Sequence, residues 1–179
     1  MFYDWKAALG NNSFQGTIPH ELGRLFKLHI LYLFENKFSG AIPTNLSRCS
    51  NLEDLRLSFN NLAGSIPKEM SLLLKLSHLE ISKNKLTGGI PSFLGNTSMV
   101  WFAAAVNPFG GSILDTLGHW KSLTTFHSGG CNLYERIPRC IFNLTLLVNL
   151  SLTENHLTSS LPSEIGTQIL SSFGYGVTN

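Results

Sequence analysis

The residues that could do chemistry in this chain are six histidines, three cysteines and eleven acidic residues, and their spacing fits no catalytic motif. His20-Glu21 lacks the second histidine that a zinc-binding HExxH helix needs, and neither a glycine-rich phosphate loop nor a nucleophile elbow occurs. Residues 174–176 (Gly-Tyr-Gly) are too short for a phosphate loop and follow no strand-turn-helix pattern. The sequence therefore predicts no catalytic residues, no metal and no cofactor, and the protein is not expected to be an enzyme.

The three cysteines are Cys49, Cys131 and Cys140, an odd number without metal-ligand spacing. Buried free cysteine is common in proteins, so we expect these residues to be unpaired structural thiols.

Five Asn-x-Ser/Thr sequons favour an exported protein, and they make glycosylation candidates of Asn11, Asn45, Asn96, Asn143 and Asn149. Residues 1–10 lack the charged and apolar regions of a signal peptide, and no apolar run reaches transmembrane length. We therefore expect a fragment of a secreted or membrane-anchored protein, extracellular or at the cell surface, with no membrane contact within this chain. Because charged residues are only 13% and the net charge is +2, nucleic acid is not an expected partner.

A repeat of about 24 residues positions all of these side chains. Three copies, 25–48, 49–72 and 73–96, each place apolar residues at the fourth, seventh and ninth positions, followed by Asn, an apolar residue, Gly and Ile-Pro. In the first copy these residues are Leu28, Leu31, Leu33, Asn36, Phe38, Gly40, Ile42 and Pro43. The same frame predicts a domain over 1–167 with further repeats at 1–24, 97–119, 120–143 and 144–167, and a frayed tail at 168–179.

The LxxLxLxxN core of this pattern resembles the leucine-rich repeat. Its LxGxIPxxL tail looks like the plant extracellular subtype found in receptor kinases, receptor-like proteins and polygalacturonase inhibitors. The resemblance implies a leucine-rich repeat solenoid of the α/β class, a right-handed superhelix of strands and 3₁₀ helices. About seven repeats of 23–24 residues would carry a parallel sheet on the concave face.

Each position that recurs from repeat to repeat has an expected physical role. The LxL segment predicts a short strand that points its leucines inward, and the Ile-Pro segment predicts short 3₁₀ or extended pieces. The glycine of the pattern suits a positive φ. An inward asparagine in each repeat is expected to hydrogen-bond backbone groups where the chain turns, at residues 12, 36, 60, 84, 107 and 155.

Two repeats depart from the pattern. Repeat 97–119 is one residue short, and counting back from Asn107 predicts that Phe102 faces the core and Trp101 faces outward, whereas the other register would exchange the two faces. Repeat 120–143 carries Ser128, Cys131 and Glu135 in place of a core apolar residue, the asparagine and the glycine, so we expect it to be the loosest full repeat.

The outer face of the strands is the candidate ligand-binding surface. Tyr32, Arg56 and Glu80 fall in one column on successive strands, where Arg56 and Glu80 should be close enough to pair. Aromatic residues and arginine on an exposed sheet are typical of binding hot spots. The predicted ligand-binding residues are Tyr32, Phe34, Arg56, Phe59, His78, Glu80, Trp101 and His127.

The resemblance implies a protein- or peptide-recognition module, similar to part of the ectodomain of a plant receptor involved in immunity or development. Its implied partners are a peptide or protein ligand and a co-receptor ectodomain. One alternative is a soluble inhibitor similar to the polygalacturonase inhibitors. A second is ice binding on a lane of small residues, in which Thr17, Ser65, Ser112 and Ser160 recur but Ala41, Gly89 and Arg136 interrupt.

Overall fold

The computed structural model describes residues 5–158 and Ser160, which form a stack of short parallel strands joined by 3₁₀ helices. The strands are β1 (Trp5–Ala8), β2 (Gln15–Thr17), β3 (Leu28–Tyr32), β4 (Lys37–Gly40), β5 (Asp54–Arg56), β6 (Asn61–Ser65), β7 (His78–Glu80), β8 (Lys85–Thr87), β9 (Trp101–Ala103), β10 (Thr125–His127), β11 (Tyr134–Glu135), β12 (Asn149–Ser151) and β13 (His156–Leu157). The helices are η1 (His20–Arg24), η2 (Thr44–Arg48), η3 (Lys68–Leu72), η4 (Ser92–Asn96), η5 (Asp115–His119) and η6 (Arg139–Asn143). The end of the last repeat and the tail predicted at 168–179 lie outside the described residues.

The main sheet has seven parallel strands in the order β1-β3-β5-β7-β9-β10-β12. Equivalent residues of neighbouring repeats pair with each other, so one side chain from each strand forms a column that crosses the whole sheet. The central inward column is fully buried at Leu31, Leu55, Leu79, Phe102 and Phe126. The predicted solenoid with a parallel sheet is confirmed.

Each 3₁₀ helix begins directly after an extended residue, as the Ile-Pro segments predict. Proline suits this position because it fixes φ and has no N–H that the helix would leave unbonded. Leu114 replaces proline before η5 and still adopts the extended conformation, with φ −81° and ψ 150°. Proline therefore favours the helix start without being required for it.

A ladder of asparagines joins successive repeats. The Nδ2 atom of Asn84 donates to the carbonyls of Leu57 (3.0 Å) in the preceding repeat and Ile81 (3.0 Å) in its own, and Oδ1 accepts from the amide of Leu62 (3.0 Å). Asn36, Asn60, Asn107 and Asn155 make equivalent bonds. Asn12 is exposed rather than inward, and among the described residues its side chain bonds only the carbonyls of Leu9 and Gly10 in its own repeat.

Cys131 takes the ladder position in repeat 120–143. Its Sγ lies 3.3 Å from the carbonyl oxygen of Ala104, which an asparagine would otherwise bond. The amide that such an asparagine would accept belongs to Phe109, and it already donates to the carbonyl of Asn107 at 2.8 Å. A thiol therefore suffices here, because only the carbonyl needs a partner.

The register of the short repeat is the predicted one. Phe102 is fully buried, and Trp101 pairs with His78 on one side and with Thr125 on the other. Thr97 follows η4 and donates its amide to the carbonyl of Leu94, as the residues after the other helices do at their own positions. Its backbone differs from theirs, because its ψ is 165° whereas theirs are 61–92°. The missing residue therefore falls in the turn before β9, where its loss leaves the strand's faces unchanged.

Three aromatic side chains fill the core around the short repeat. Trp120 lies 5.1 Å from the Phe102 ring and 6.2 Å from the Phe126 ring, and the two phenylalanines stack at 5.5 Å. In the same two repeats, the inward residues Ala104 and Ser128 are small, whereas neighbouring repeats have Ile81 and Leu152 at these positions. Large and small residues thus exchange places within one continuous core.

A second sheet on another side of the stack was not predicted from the sequence. It contains β2-β4-β6-β8 and, after a gap at repeat 97–119, β11-β13. The gap coincides with Pro108, which occupies the position of Lys37, whose amide donates to the carbonyl of Phe14 at 2.8 Å. Because proline has no N–H, the ladder of this sheet is interrupted there.

Candidate functional site

The concave face comprises the outward side chains of the seven-stranded sheet and the residue that precedes each ladder asparagine. Its centre is a polar cluster of Tyr32, Asp54, Arg56 and Glu80. The Tyr32 hydroxyl donates to Asp54 Oδ2 at 2.6 Å, and Arg56 donates from Nε and Nη2 to the same carboxylate at 3.0 Å. The Arg56 guanidinium lies 4.7 Å from the centre of the Tyr32 ring. Each member of the cluster thus holds another in place.

The hydrogen bonds of this cluster shift two pKa values. The pKa of Tyr32 is raised, chiefly because its hydroxyl donates to the Asp54 carboxylate and also through burial. The pKa of Arg56 is raised mainly by its hydrogen bonds to Asp54. Both side chains therefore keep their protons at neutral pH and remain donors to Asp54.

Arg56 is closer to Asp54 than to its predicted partner. Its Nη1 atom lies 3.9 Å from Glu80 Oε1, so that pair is the longer of the two. Asp54 was missing from the predicted set, although residues two apart in a strand share a face. The alternation in Asp54-Leu55-Arg56 was the signal that could have identified it.

Aromatic side chains flank the cluster at two places. The rings of Tyr32 and Phe34 lie 6.0 Å apart, and the Phe34 ring covers Gly10, where a Cβ would lie 2.7 Å from it. On β9 and β10, the rings of Trp101 and His127 meet edge to face at 5.9 Å. Burial lowers the pKa of His127, which favours a neutral imidazole against the indole.

Other predicted residues lie at the margins of these groups. Phe59 is 45% exposed, and Lys83 Nζ lies 4.4 Å from the centre of its ring. His78 contacts the Ser77 hydroxyl through Nδ1 at 2.9 Å. All eight predicted residues thus lie on one face, with Trp101 in the column of His78 and with His127 in the column of Arg56. Their role in binding a ligand stays a prediction.

The residue before each ladder position is left-handed, a feature that the sequence did not reveal. These residues form one rim of the concave face, and their φ values are 51–62° at Glu35, Phe59, Lys83, Val106, Gly130 and Glu154. Val106 is β-branched and half-exposed, so it holds a conformation that costs about 1–2 kcal/mol. Strain of this kind concentrates at functional sites.

The sequons lie on different surfaces. Asn149 is exposed on the concave face in β12, with Nδ2 3.4 Å from the Thr125 hydroxyl. Asn96 and Asn143 are the exposed last residues of η4 and η6, Asn11 is exposed before the first ladder position, and Asn45 is half-buried in η2. A glycan on Asn149 would cover the β12 end of the concave face, and the other positions leave that face open. Occupancy of all five sequons stays a prediction.

The described residues contain neither a cluster of three or more metal-ligating side chains nor a helix long and apolar enough to cross a membrane. Cys49, Cys131 and Cys140 are free thiols, and burial raises the pKa of each. Because the thiolate is the reactive form, these cysteines suit packing rather than nucleophilic chemistry.

Comparisons with known proteins agree with this architecture. Residues 27–49, 51–73 and 75–97 match the family model described as Leucine Rich Repeat. No curated protein gives a significant match in sequence. Among solved structures, the chain is similar to the plant peptide hormone receptor RGFR1 in complex with RGF2, at 36% identity and a TM-score of 0.84, over 87% of this chain and 25% of the receptor chain.

Two further structures are similar. The BIR3–SERK2 complex from Arabidopsis thaliana matches at 32% identity and a TM-score of 0.64, over 70% of this chain and 67% of that chain. A plant ice-binding protein matches at 26% identity and a TM-score of 0.71, over 89% of this chain and 60% of that protein. This chain thus spans about a quarter of the length of the hormone receptor that it matches.

Proposed function

Because this chain belongs to the leucine-rich repeat proteins, we propose that it is a recognition module that binds a peptide or protein ligand on its concave face. The similarity to a peptide hormone receptor supports this function. The polar groups Tyr32, Asp54 and Arg56 on this face hold one another in place, which suits recognition of a ligand by shape and charge.

The observation that carries the proposal is the ordered cluster around Asp54. Tyr32 and Arg56 are fixed by hydrogen bonds of 2.6–3.0 Å before any ligand arrives. A ligand therefore meets side chains whose conformational entropy has already been lost in folding, which favours affinity. Tyr, Trp and Arg are also the side chains that contribute most at binding hot spots.

We further propose that the module acts outside the cell, as part of a receptor assembly that includes a co-receptor ectodomain. Two observations support this arrangement. The similar BIR3–SERK2 structure is itself a complex of two proteins, and the sequons Asn96 and Asn143 are exposed. Expression of the chain behind an added secretory signal peptide tests the location: we expect secreted, folded chain with glycans on Asn96 and Asn143, and a chain that carries no glycan at either residue would contradict it.

The test of the function is a selection of binders from a random peptide library on the folded chain. The selected peptides are then measured against the triple variant Tyr32→Ala, Arg56→Ala, Trp101→Ala. We expect affinity to fall at least tenfold, because hot-spot truncations each cost about 1–2 kcal/mol or more.

A matched triple variant, Phe26→Ala, Leu72→Ala, Leu74→Ala, removes exposed apolar residues outside the concave face and should leave affinity unchanged. Circular dichroism checks that both variants keep the fold. Selected peptides that bind the concave-face variant as tightly as the unchanged chain would contradict the function.

Ice binding is the weaker alternative, despite the similarity to an ice-binding protein. The lane of small residues borders the second sheet, which is interrupted at Pro108. Ala41, Gly89 and the exposed Arg136 also break the regular series of hydroxyls. Thermal hysteresis of the purified chain would support this alternative, and inhibition of a polygalacturonase would support the inhibitor alternative.

A further inference from the structure

A trough of small side chains runs across four strands of the concave face. Its floor is the column of Ser58, Ser82, Ala105 and Gly129, each the outward residue just after an inward core position. Backbone hydrogen bonds keep the column in line, since the amide after each floor residue donates to the next floor carbonyl, as Lys83 does to Ala105 at 2.7 Å. Ser58 is only 6% exposed, so larger neighbouring side chains cover most of the floor at this position.

Larger side chains border the trough on both sides and at both ends. One wall carries Arg56, Glu80 and His127, with the small Ala103 between the last two, and the other is the left-handed rim with Phe59, Lys83, Val106 and Gly130. At one end the floor column continues to Phe34, whose ring lies over Gly10 of the preceding repeat. Thr153 closes the other end, where its Oγ1 would lie 2.7 Å from a Cβ on Gly129.

The length of the trough suits a short extended chain. Strands in a sheet are about 4.8 Å apart, so the three spacings between the four floor strands span roughly 14 Å. An extended peptide advances about 3.3 Å per residue, which corresponds to roughly five residues lying across the floor. The strained Val106 and the half-exposed Phe59 offer apolar contacts along one side of this path.

The charge of the concave face is opposite to that of the chain. The face carries the acidic residues Glu35, Asp54, Glu80 and Glu154 and the basic residues Lys6, Arg56 and Lys83, a net charge of −1 with histidines neutral, whereas the chain carries +2. Arg56 is already countered by Asp54 at 3.0 Å. Glu35 and Glu154 stand on the rim beyond opposite ends of the trough, five strands apart, or roughly 24 Å.

We propose that the ligand is an extended peptide of about eight residues, whose middle residues lie along the trough and whose two end residues, about seven positions apart, are cationic and lie beside Glu35 and Glu154. This inference rests on the proposed function and specifies its ligand class. Complementary charge at the ends would steer the peptide onto the face and fix its position, and the apolar rim would hold its middle. Lys83, at the centre of the rim, disfavours a cationic residue there.

The experiment uses twelve-residue peptides selected from a random phage library on the full chain. Ala105→Trp fills the floor of the trough, and Ala8→Trp places the same bulk on the concave face outside it. We expect the selected peptides to lose binding to the first variant and to keep it with the second. Their sequences should show Lys or Arg at two positions about seven residues apart.

Synthetic copies of the selected peptides are then measured with the double variant Glu35→Gln, Glu154→Gln. Affinity should fall about tenfold at low salt and less at high salt, because each exposed ion pair contributes little and is screened. The control, Glu21→Gln with Glu69→Gln, changes charge equally outside the concave face and should have no effect.

The outcomes separate this inference from the function. Two outcomes would overturn the cationic ligand and leave recognition on the concave face standing. One is that peptides whose binding is lost with Ala105→Trp are neutral or acidic, and the other is that their affinity is unchanged by the Glu35 and Glu154 substitutions. Recovering no peptide that depends on any concave-face residue would overturn both.

Discussion

At the scale of single residues, Ser128 is an unfavourable choice in the core. It is fully buried at a position where other repeats have Leu57, Ile81 and Leu152, and its hydroxyl has no hydrogen-bond partner among the described residues. A buried hydroxyl without a partner costs about 1–3 kcal/mol. The fully buried rings of Phe102 and Phe126 make this part of the core apolar, so a polar group there is unfavourable.

Replacing Ser128 with alanine removes the hydroxyl without adding volume. We expect the free energy of unfolding to rise by about 1 kcal/mol, measured by urea denaturation followed by circular dichroism. Ser151→Ala, on the outward side of the next strand, is the matched control and should change stability by less than about 0.5 kcal/mol. A loss of stability in Ser128→Ala would mean that the hydroxyl has a partner in solution.

At the scale of elements, the asparagine ladder is what joins one repeat to the next. Asn84 is 8% exposed and serves carbonyls of two repeats and the amide of Leu62. Backbone groups at the turn after each strand have no partner within the sheet, so the amide side chain supplies one. Asn12 follows the first strand of the described chain, and its side chain bonds only its own repeat among the residues that the structure describes.

Asn84→Ala should therefore lower the free energy of unfolding by about 2–4 kcal/mol, because it leaves several buried backbone groups unbonded. Asn12→Ala removes only exposed bonds, and we expect it to cost less than about 1 kcal/mol. Urea denaturation of the two variants in parallel measures the difference. Equal losses would contradict the account of the ladder as the link between repeats.

The pattern of elements was largely predictable from the sequence, and the exceptions have physical causes. Periodic leucines, asparagines and Ile-Pro pairs indicated the strands, the ladder and the 3₁₀ helices, and Asn107 indicated the register of Phe102. The second sheet was not predictable, because β4, β6 and β8 each bury a single apolar residue, too short a pattern to indicate a strand, and the sheet depends on pairing between repeats. Cys131 also needed the structure, since its role depends on the bond between Phe109 and Asn107.

The candidate site was predictable in position but less so in its interactions. Strand alternation placed the eight predicted side chains on one face, and register aligned Tyr32, Arg56 and Glu80. The choice of Asp54 over Glu80 as the partner of Arg56 depends on side-chain geometry that a repeat pattern does not encode. The left-handed rim was also hidden, because residues as unlike as Glu35 and Val106 adopt it.

At the scale of the whole molecule, the chain separates its surfaces by chemistry. The concave face is acidic and aromatic, with its side chains held by mutual contacts, whereas most lysines and arginines lie elsewhere. A continuous core from Ile18 to Leu147 supports this face, so a ligand contacts a surface that need not reorganise. Recognition across several repeats follows from this arrangement, because no single repeat offers enough contact area.

Hydroxyl-radical footprinting with a selected peptide tests this central claim most directly, since it reads exposed aromatic residues on every surface in one measurement. The account predicts that bound peptide protects Tyr32, Phe59 and Trp101 from oxidation and leaves Phe26 and Tyr134, which are exposed outside the concave face, unchanged. Protection of Phe26 or Tyr134 with no change at Tyr32, Phe59 and Trp101 would contradict it.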